Sequence, residues 1–220
     1  MSTPLVAIYS SEKGILRLTA EDARKLDILY VSFGVLKNGQ ATVDHLQCLS
    51  RLPEIRAMNP SLKVVLAVGG GAERGWDEAV RSPKALKILI DSILAIVKAH
   101  GFDGVDVDWE YPKHDFSQKK EHTALLKGLR EGLDAIRPGL LLSLASCTTD
   151  WYFDLTELSE SVKYLDHVNL MTYDVGFSTP YTVHHCCSRA MPAGIVTDGS
   201  AEENIRLFIE KGVPAEKLLI

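Results

Sequence analysis

The pattern of apolar positions along the chain predicts buried strands that alternate with amphipathic helices. Continuously apolar runs, rich in β-branched residues, lie at 6–10, 28–36, 64–70, 104–110, 140–147, 167–174 and 218–220. Because polar residues do not alternate with apolar ones in these runs, we expect both faces of each strand to be buried. Strands and helices that alternate in one chain predict a parallel sheet covered by helices.

The clearest helix is predicted over residues 83–100. Ser82 is a suitable N-cap, Pro83 occupies the first helical position, and Gly101 follows the end. One face is marked by apolar residues at helical spacing, namely Leu86, Leu89, Ile90, Ile93 and Val97. Further helices are predicted at about 117–136, which stops at an Arg-Pro-Gly sequence, and at 201–211.

The count of elements decides between two α/β architectures. Six full βα units and the start of a seventh strand predict a (β/α)8 TIM barrel, incomplete at the C-terminus, because about 250 residues are typical and this chain has 220. The alternative is an open doubly wound sheet, which would need a phosphate-binding loop after its first strand. Residues 9–14 (YSSEKG) do not provide one, and the glycines at 69, 70, 71 and 75 match no nucleotide-binding motif.

Composition excludes several classes of protein. The chain is 46% hydrophobic and 24% charged, as in ordinary globular domains, and its formal net charge is −5. A nucleic-acid binder or a protein that binds anionic membranes should be basic, so neither is expected. No apolar run approaches the ~18 residues needed to span a bilayer, and residues 1–11 lack the features of a signal peptide. Four cysteines do not make a disulfide framework.

The strand predicted at 104–110 is unusual because it carries acidic residues. Side chains alternate across a strand, so Asp106, Asp108 and Glu110 should share one face, with the opposite face left to Val105, Val107 and Trp109. A solvated edge strand is disfavoured because the neighbouring runs are so apolar. Buried carboxylates in contact must share protons, so at least one should have a raised pKa and act as an acid near neutral pH. Glu110, the longest and nearest to the strand end, is the candidate.

Residues 103–110 (DGVDVDWE) match the DxxDxDxE signature, and the chain here resembles glycoside hydrolase family 18, the chitinases and their relatives. Residues 66–70 (LAVGG) resemble the family's strand-three SxGG motif, with Ala67 in place of serine. Residues 169–174 (NLMTYD) resemble its strand-six MxYD motif, and residues 182–185 (TVHH) resemble the loop that follows in bacterial members. We expect the whole chain, 1–220, to be a single catalytic domain of this family.

The resemblance implies a retaining hydrolase of β-1,4 bonds after N-acetylglucosamine, in which the acetamido oxygen of the substrate is the nucleophile. Glu110 would protonate the leaving oxygen and later activate water. Asp108 would orient the acetamido group, and Asp106 would share a proton with Asp108. Tyr173 and Asp174 would bind the acetyl group and support its attack. Neither a cofactor nor a metal ion is implied.

The remaining candidates are binding residues. Met171 would pack the pocket floor, and Gly70 belongs to the strand-three motif. Tyr9 and Phe33 could line the sugar site or be plain core. Aromatic residues that follow strands three, four and five could stack on sugars or simply pack their loops, namely Trp76, Tyr111 and Trp151.

Asp103 and the sequence at residues 184–187 receive structural interpretations. Asp103 has the opposite parity to the three carboxylates and should cap the start of its strand. Residues 184–187 (HHCC) are contiguous and cannot easily surround one tetrahedral metal ion, so a loop facing the substrate is the better interpretation.

Three functions stay open. The first is a chitinase acting on chitin or N-acetylglucosamine oligosaccharides, and the second is an endo-β-N-acetylglucosaminidase acting on N-glycans. The third is a non-catalytic chitin-binding lectin, but lectin relatives usually lose the acid that Glu110 retains here. The resemblance favours an extracellular location, with the cytoplasm as the alternative.

The end of the chain leads to a separate expectation. Members of the family continue through an eighth strand that carries a tryptophan in the sugar site, whereas this sequence ends within strand seven. A barrel that is not closed exposes unpaired backbone groups at its edges. We therefore expect these 220 residues alone to have weak or absent activity. Either the open edge pairs with another chain, which includes self-association, or further residues of the natural protein close the barrel.

Overall fold

The computed structural model describes residues 5–174 and 200–220 of the chain. Their contacts divide them into two compact units. The first unit holds the described residues of 1–110 together with 124–142, and the second holds 111–123 together with those of 143–220. The single catalytic domain expected over 1–220 stays a prediction.

The described residues form eight strands: β1 (Ala7–Ser11), β2 (Ile28–Lys37), β3 (Gln40–Thr42), β4 (Lys63–Gly69), β5 (Gly104–Asp108), β6 (Leu141–Ser146), β7 (His167–Leu170) and β8 (Leu218–Leu219). In the first unit, β2 pairs in parallel with β1 and with β4, and β4 pairs in parallel with β5. In the second unit, β7 pairs in parallel with β6 and with β8. Only β3, which pairs with β2, is antiparallel among these pairs.

This strand order confirms the predicted fold class. The parallel strands follow one another as they follow along the chain, whereas a doubly wound sheet reverses its order at a switch point. The chain has the α/β fold of an incomplete (β/α)8 barrel, with seven parallel strands among the described residues.

Helices follow most strands, as the alternation predicts. They are α1 (Glu12–Arg17), α2 (Ala20–Ala23), α3 (Leu52–Met58), α4 (Trp76–Val80), α5 (Pro83–His100), α6 (Lys119–Ile136), α7 (Trp151–Leu155), α8 (Leu158–Ser161) and α9 (Ala201–Glu210). Short 3-10 turns occupy Gln47–Arg51, Val162–Tyr164 and Ala215–Lys217. Within the described part of the chain, no helix is both long enough and apolar enough to cross a membrane.

Helix α5 has the predicted bounds because its sequence carries both end signals. The hydroxyl of Ser82 accepts a hydrogen bond from the backbone N–H of Ala85, and Gly101 ends the helix in the left-handed conformation with φ 65°. Four of the five predicted apolar positions are buried and Ile90 is half-buried. Only residues 101–103 separate the end of α5 from β5, the strand with the acidic residues.

The β2–β3 hairpin is not among the predicted elements. Its turn is Asn38-Gly39, with φ values of 53° and 73°, and this dipeptide favours two-residue hairpin turns because both positions need positive φ. The local signal was therefore present between two apolar runs. The continuous apolar run of β2 is typical of a buried parallel strand and does not show that β2 also pairs with β3.

Asp103 fixes the start of β5, as its parity suggested. One carboxylate oxygen, Oδ2, accepts hydrogen bonds from the Arg56 guanidinium at 2.7 Å and from the backbone N–H of Val64 at 3.0 Å. The other, Oδ1, accepts from the Arg137 guanidinium at 3.2 Å. Because Asp103 is almost fully buried, these three donors replace the water that it loses on folding.

We predict that Asp103→Asn lowers the free energy of unfolding by roughly 2 kcal/mol, because hydrogen bonds to a buried charge are lost. Urea titration monitored by circular dichroism measures this change. Asp91→Asn is the matched control, since Asp91 pairs with Lys87 on the exposed surface of α5 and should contribute much less. Equal losses in the two variants would contradict the assigned role of Asp103.

Candidate active site

The acidic residues of β5 lie deep in the first unit. Asp106 is fully buried in register with Ala67 of β4, and Asp108 is 4% exposed in register with Gly69. The strand ends at Asp108, two residues earlier than predicted, so Glu110 belongs to the segment that follows. Glu110 is half-buried, and its carboxyl still reaches Asp108 through a side-chain hydrogen bond. The three carboxyl groups therefore form one cluster, although only two lie on the strand.

The clustering of the three carboxyl groups changes the pKa of Asp108. Burial, first of all, and then the charges of Asp106 and Glu110 raise the pKa of Asp108 from 3.8 to about 8. The hydrogen bond with Glu110 raises it further. The sequence predicts a raised pKa within the cluster, and in the structure Asp108, which is almost fully buried, has one.

Asp106 has a partner on the first strand. The phenol of Tyr9 donates a hydrogen bond to Oδ2 of Asp106 at 2.9 Å. The Tyr9 ring stacks on Tyr30, with centroids 4.5 Å apart and an interplanar angle of 18°. Tyr9 is 39% exposed, so it connects the buried carboxyl of Asp106 to the surface of the first unit.

The glycine pair at the end of β4 holds Asp108 in place. The backbone N–H of Gly70 donates to the carbonyl of Asp108 at 2.8 Å. Gly69 has φ 120°, and a Cβ there would collide with the same carbonyl. Gly70 also lies against Phe33, since a Cβ on Gly70 would be 3.1 Å from that ring. The predicted binding residues Gly70 and Phe33 are therefore neighbours beside Asp108.

Trp76 does not lie at the rim, as one interpretation of the sequence had suggested. It is 4% exposed and stacks on Trp109, with centroids 4.8 Å apart and an interplanar angle of 8°. Trp109 lies in the chain between Asp108 and Glu110. The stacked pair thus packs behind the acidic cluster, a supporting role that the position of Trp76 after a strand could not reveal.

A cavity of about 290 Å³ opens beside the cluster in the first unit. Its lining consists of Phe33, Val35, His45, Gly69, Gly70, Gly71, Ala72 and Glu73. Gly71 also faces the candidate acid, because a Cβ on Gly71 would lie 3.3 Å from Oε2 of Glu110. The Glu110 carboxyl therefore lies next to a residue that lines open space.

Glu73, which sequence reasoning missed, fixes the loop around this cavity. Its carboxylate accepts hydrogen bonds from the backbone N–H groups of Leu36, Arg74 and Gly75, the first at 2.7 Å. The sequence signal for this role is a glutamate in a glycine-rich loop directly after a strand.

The other predicted site residues lie in the second unit. Strand β7 ends at Leu170, not at residue 174, so Met171, Tyr173 and Asp174 belong to the segment that follows the strand. Met171 is half-buried, and its N–H donates to the carbonyl of Ser146 at 2.9 Å. Tyr173 is 46% exposed, and Asp174 is exposed with φ 59°.

Two further predictions concern the loop at residues 182–187 and metal binding. Residues 182–185 and the HHCC sequence at 184–187 lie outside the described residues. Within 5–174 and 200–220, no group of three or more histidine, cysteine or acidic side chains is arranged to hold a metal ion.

The raised pKa of Asp108 predicts a pH-dependent stability. Between pH 4 and 8 the folded chain keeps a proton on Asp108 that the unfolded chain releases, so the free energy of unfolding falls as pH rises. Asp108→Asn removes this pH-dependent decrease. The free energy of unfolding of the variant, relative to that of the parent, should therefore increase from pH 5 to 8, by at most about 1.4 kcal/mol per pH unit. Urea titrations at pH 5, 6, 7 and 8 measure it. Asp91→Asn should show no such trend, and parallel pH curves for Asp108→Asn and the parent would count against the raised pKa.

Comparisons with known proteins agree with this geometry. The model of the family described as glycosyl hydrolases family 18 matches residues 6–220. Chitinase 1 of Aphanocladium album is 31% identical over 182 residues, which cover 79% of this chain and 43% of that protein. Chitotriosidase-1 of Mus musculus is 29% identical over 210 residues, covering 88% and 45%.

Among solved structures, a glycoside hydrolase family 18 N-acetylglucosaminidase from Paenibacillus barengoltzii has a TM-score of 0.91 at 35% identity. The match covers 98% of this chain and 67% of that chain. The chain spans about half the length of the curated relatives that it matches. Because the family match covers nearly the whole chain, including β5 and its acidic cluster, the chain belongs to glycosyl hydrolases family 18.

Proposed function

We propose that this chain carries the catalytic acidic cluster of a glycoside hydrolase that cleaves β-1,4 bonds in chitin and N-acetylglucosamine oligosaccharides. The observation that carries the proposal is the buried Asp108, hydrogen-bonded to Glu110 and close enough to Asp106 for its pKa to rise to about 8. Groups with strongly shifted pKa values beside a cavity are typical of acid–base sites. The names of two relatives, Chitinase 1 and Chitotriosidase-1, favour chitin and its oligosaccharides as the substrate.

Glu110 is the proposed general acid. It is the most exposed carboxyl of the cluster and lies against Gly71 at the cavity, so it is accessible to a glycosidic oxygen. Glu110 donates its proton to the leaving oxygen while the bond to the anomeric carbon breaks. The acetamido oxygen of the same sugar then bonds to that carbon and forms an oxazolinium ion. Glu110 next takes a proton from the water that opens the ring, which retains the anomeric configuration.

The buried pair supplies the charge that the cationic intermediate requires. Asp106 and Asp108 together hold a proton near neutral pH, because both cannot ionise side by side in a buried site. When the substrate binds, transfer of this proton from Asp108 to Asp106 leaves a negative charge on Asp108, which orients the acetamido N–H and stabilises the oxazolinium ion. The Tyr9 hydroxyl, which donates to Asp106, fixes the orientation of that carboxyl.

The remaining roles follow from the resemblance to the family. Tyr173 and Asp174 bind the acetyl group of the substrate, and Met171 packs the floor of its pocket. Phe33 and Gly70 line the sugar site beside Asp108, and Tyr111 lies next to Glu110 in the chain.

Two alternatives from the sequence, an N-glycan endoglycosidase and a chitin-binding lectin, have no specific observation in their favour. The similar structure from Paenibacillus barengoltzii is an N-acetylglucosaminidase, and analysis of the products would show whether this chain also releases N-acetylglucosamine. An extracellular location and self-association remain predictions.

We expect Glu110→Gln to reduce hydrolysis of chitin oligosaccharides at least a hundredfold while the fold and ligand binding persist, because the proton donor is lost. Asp108→Asn should also lose activity, and Asp103→Asn, a matched change at the other end of β5, should lose much less. Product formation by chromatography measures turnover. Equal turnover of Glu110→Gln and the parent would refute the assignment of the acid.

The proposed mechanism requires an acetamido group on the sugar whose bond is cut, because the oxygen of that group is the nucleophile. Fully deacetylated chitosan should bind weakly and resist cleavage, and a thiazoline mimic of the cyclic intermediate should inhibit. Initial rates on chitin, chitosan and cellulose oligosaccharides of equal length provide the comparison. Efficient hydrolysis of cellulose oligosaccharides would mean that a protein carboxylate is the nucleophile.

A further inference from the structure

The loop that follows β4, residues 70–75, connects the end of β2 to the acidic cluster. Its carboxylate residue, Glu73, binds the backbone through both oxygens. Oε2 accepts a hydrogen bond from the N–H of Leu36 at 2.7 Å, and Oε1 accepts from the N–H groups of Arg74 and Gly75. Hydrogen bonds to a charged acceptor are stronger than those between neutral groups. Glu73 therefore holds this loop to a strand that is distant in the sequence.

Further hydrogen bonds fix the conformation of the same loop. The N–H of Glu73 donates to the carbonyl of Gly70 at 2.9 Å. The guanidinium group of Arg74 donates to the carbonyls of Gly71 and Glu73, at 2.7 Å and 2.9 Å. The backbone of the loop is thus bound at several points, and a shift of Gly71 would break at least one of these contacts.

The loop meets the acidic cluster at two points. The N–H of Gly70 donates to the carbonyl of Asp108 at 2.8 Å. A Cβ on Gly71 would lie 3.3 Å and 3.4 Å from the two carboxyl oxygens of Glu110. Because β5 ends at Asp108, Glu110 lies outside the strand, and its carboxyl group depends on side-chain and loop contacts for its position.

We infer that Glu73 is a positioning residue for the acid: by holding Gly71 in place, it keeps the Glu110 carboxyl directed at the glycosidic oxygen. The inference rests on the proposed function. Proton transfer requires the donor to lie within hydrogen-bonding distance of the leaving oxygen. A misplacement of about 1 Å can cost as much as a hundredfold in rate. Without the loop beside it, the long side chain of Glu110 can adopt other rotamers and turn towards water.

Two substrates with different leaving groups separate positioning of the acid from a general structural role. The tetrasaccharide of N-acetylglucosamine has a sugar hydroxyl as its leaving group, which must be protonated as the bond breaks. The 3,4-dinitrophenyl glycoside of the disaccharide releases a stable phenolate, which needs no proton from the protein. Since kcat/KM reports the steps up to departure of the leaving group, only its value for the tetrasaccharide should depend on the acid. A smaller folded fraction would lower both values equally.

We expect Glu73→Gln to lower kcat/KM for the tetrasaccharide roughly tenfold and that for the dinitrophenyl glycoside less than about twofold. The amide of glutamine replaces one oxygen with an NH2 donor, which then faces a backbone N–H and cannot accept from it. The KM for the tetrasaccharide should stay nearly constant, because the contacts of Glu73 are with the backbone. Initial rates of product formation measure these values.

Two further variants complete the experiment. Glu78→Gln is the matched control, since Glu78 is an exposed residue of the neighbouring helix α4, and both rates should equal those of the parent. Arg74→Ala removes the hydrogen bond to the carbonyl of Gly71 but leaves the Glu73 carboxylate intact. Because Arg74 is exposed, this variant should fold, and it should show a smaller loss that is again confined to the tetrasaccharide.

The outcomes separate this inference from the proposed function. Equal losses of Glu73→Gln on the two substrates, a higher KM at constant kcat, or rates like those of the parent would overturn the positioning role and leave the proposed function standing. If Glu73→Gln does not fold, the ratio of the two losses in Arg74→Ala decides. If the parent cleaves neither substrate, the proposed function is wrong and the inference fails with it.

Discussion

The burial of like charges on β5 is the constraint on which the first unit depends. Two carboxyl groups with almost no solvent contact, Asp106 and Asp108, lie within hydrogen-bonding reach of polar partners and share their surroundings with Glu110. Ionising both buried groups would cost several kcal/mol, because the interior does not replace the water that each carboxylate loses. The pKa of Asp108 therefore rises to about 8, and a group with such a pKa can exchange a proton near neutral pH.

A site under such repulsion needs a rigid frame, and the neighbouring residues provide one. Asp103 is bound by two guanidinium groups and a backbone N–H where β5 begins. At the other end, the N–H of Gly70 holds the carbonyl of Asp108, and the stacked Trp76 supports Trp109. Asp103 and Asp108 are both buried acids on one segment, but two guanidinium groups contact Asp103, whereas Asp108 lies beside two other carboxyl groups.

The sequence predicts the parts of the fold whose signals are local or periodic. Helix α5 has its predicted bounds because Ser82 and Gly101 mark its ends. The prediction fails at two strand ends. Strand β5 stops at Asp108, whereas its motif continues to Glu110, and strand β7 stops at Leu170, whereas its motif continues to residue 174. In β5 and β7 the apolar and acidic pattern continues past the last paired residue, so periodicity alone cannot show where sheet pairing ends.

Tertiary contacts explain why the aromatic residues could not be assigned in advance. Trp76 and Trp151 both begin a helix that follows a parallel strand, and the sequence treats them alike. Trp76 is buried because Trp109 offers it a parallel face. Trp151 meets the edge-on ring of Tyr111 and keeps part of its indole in water. The partner across the packing interface, not the position after a strand, decides whether such an aromatic residue is buried or keeps contact with solvent.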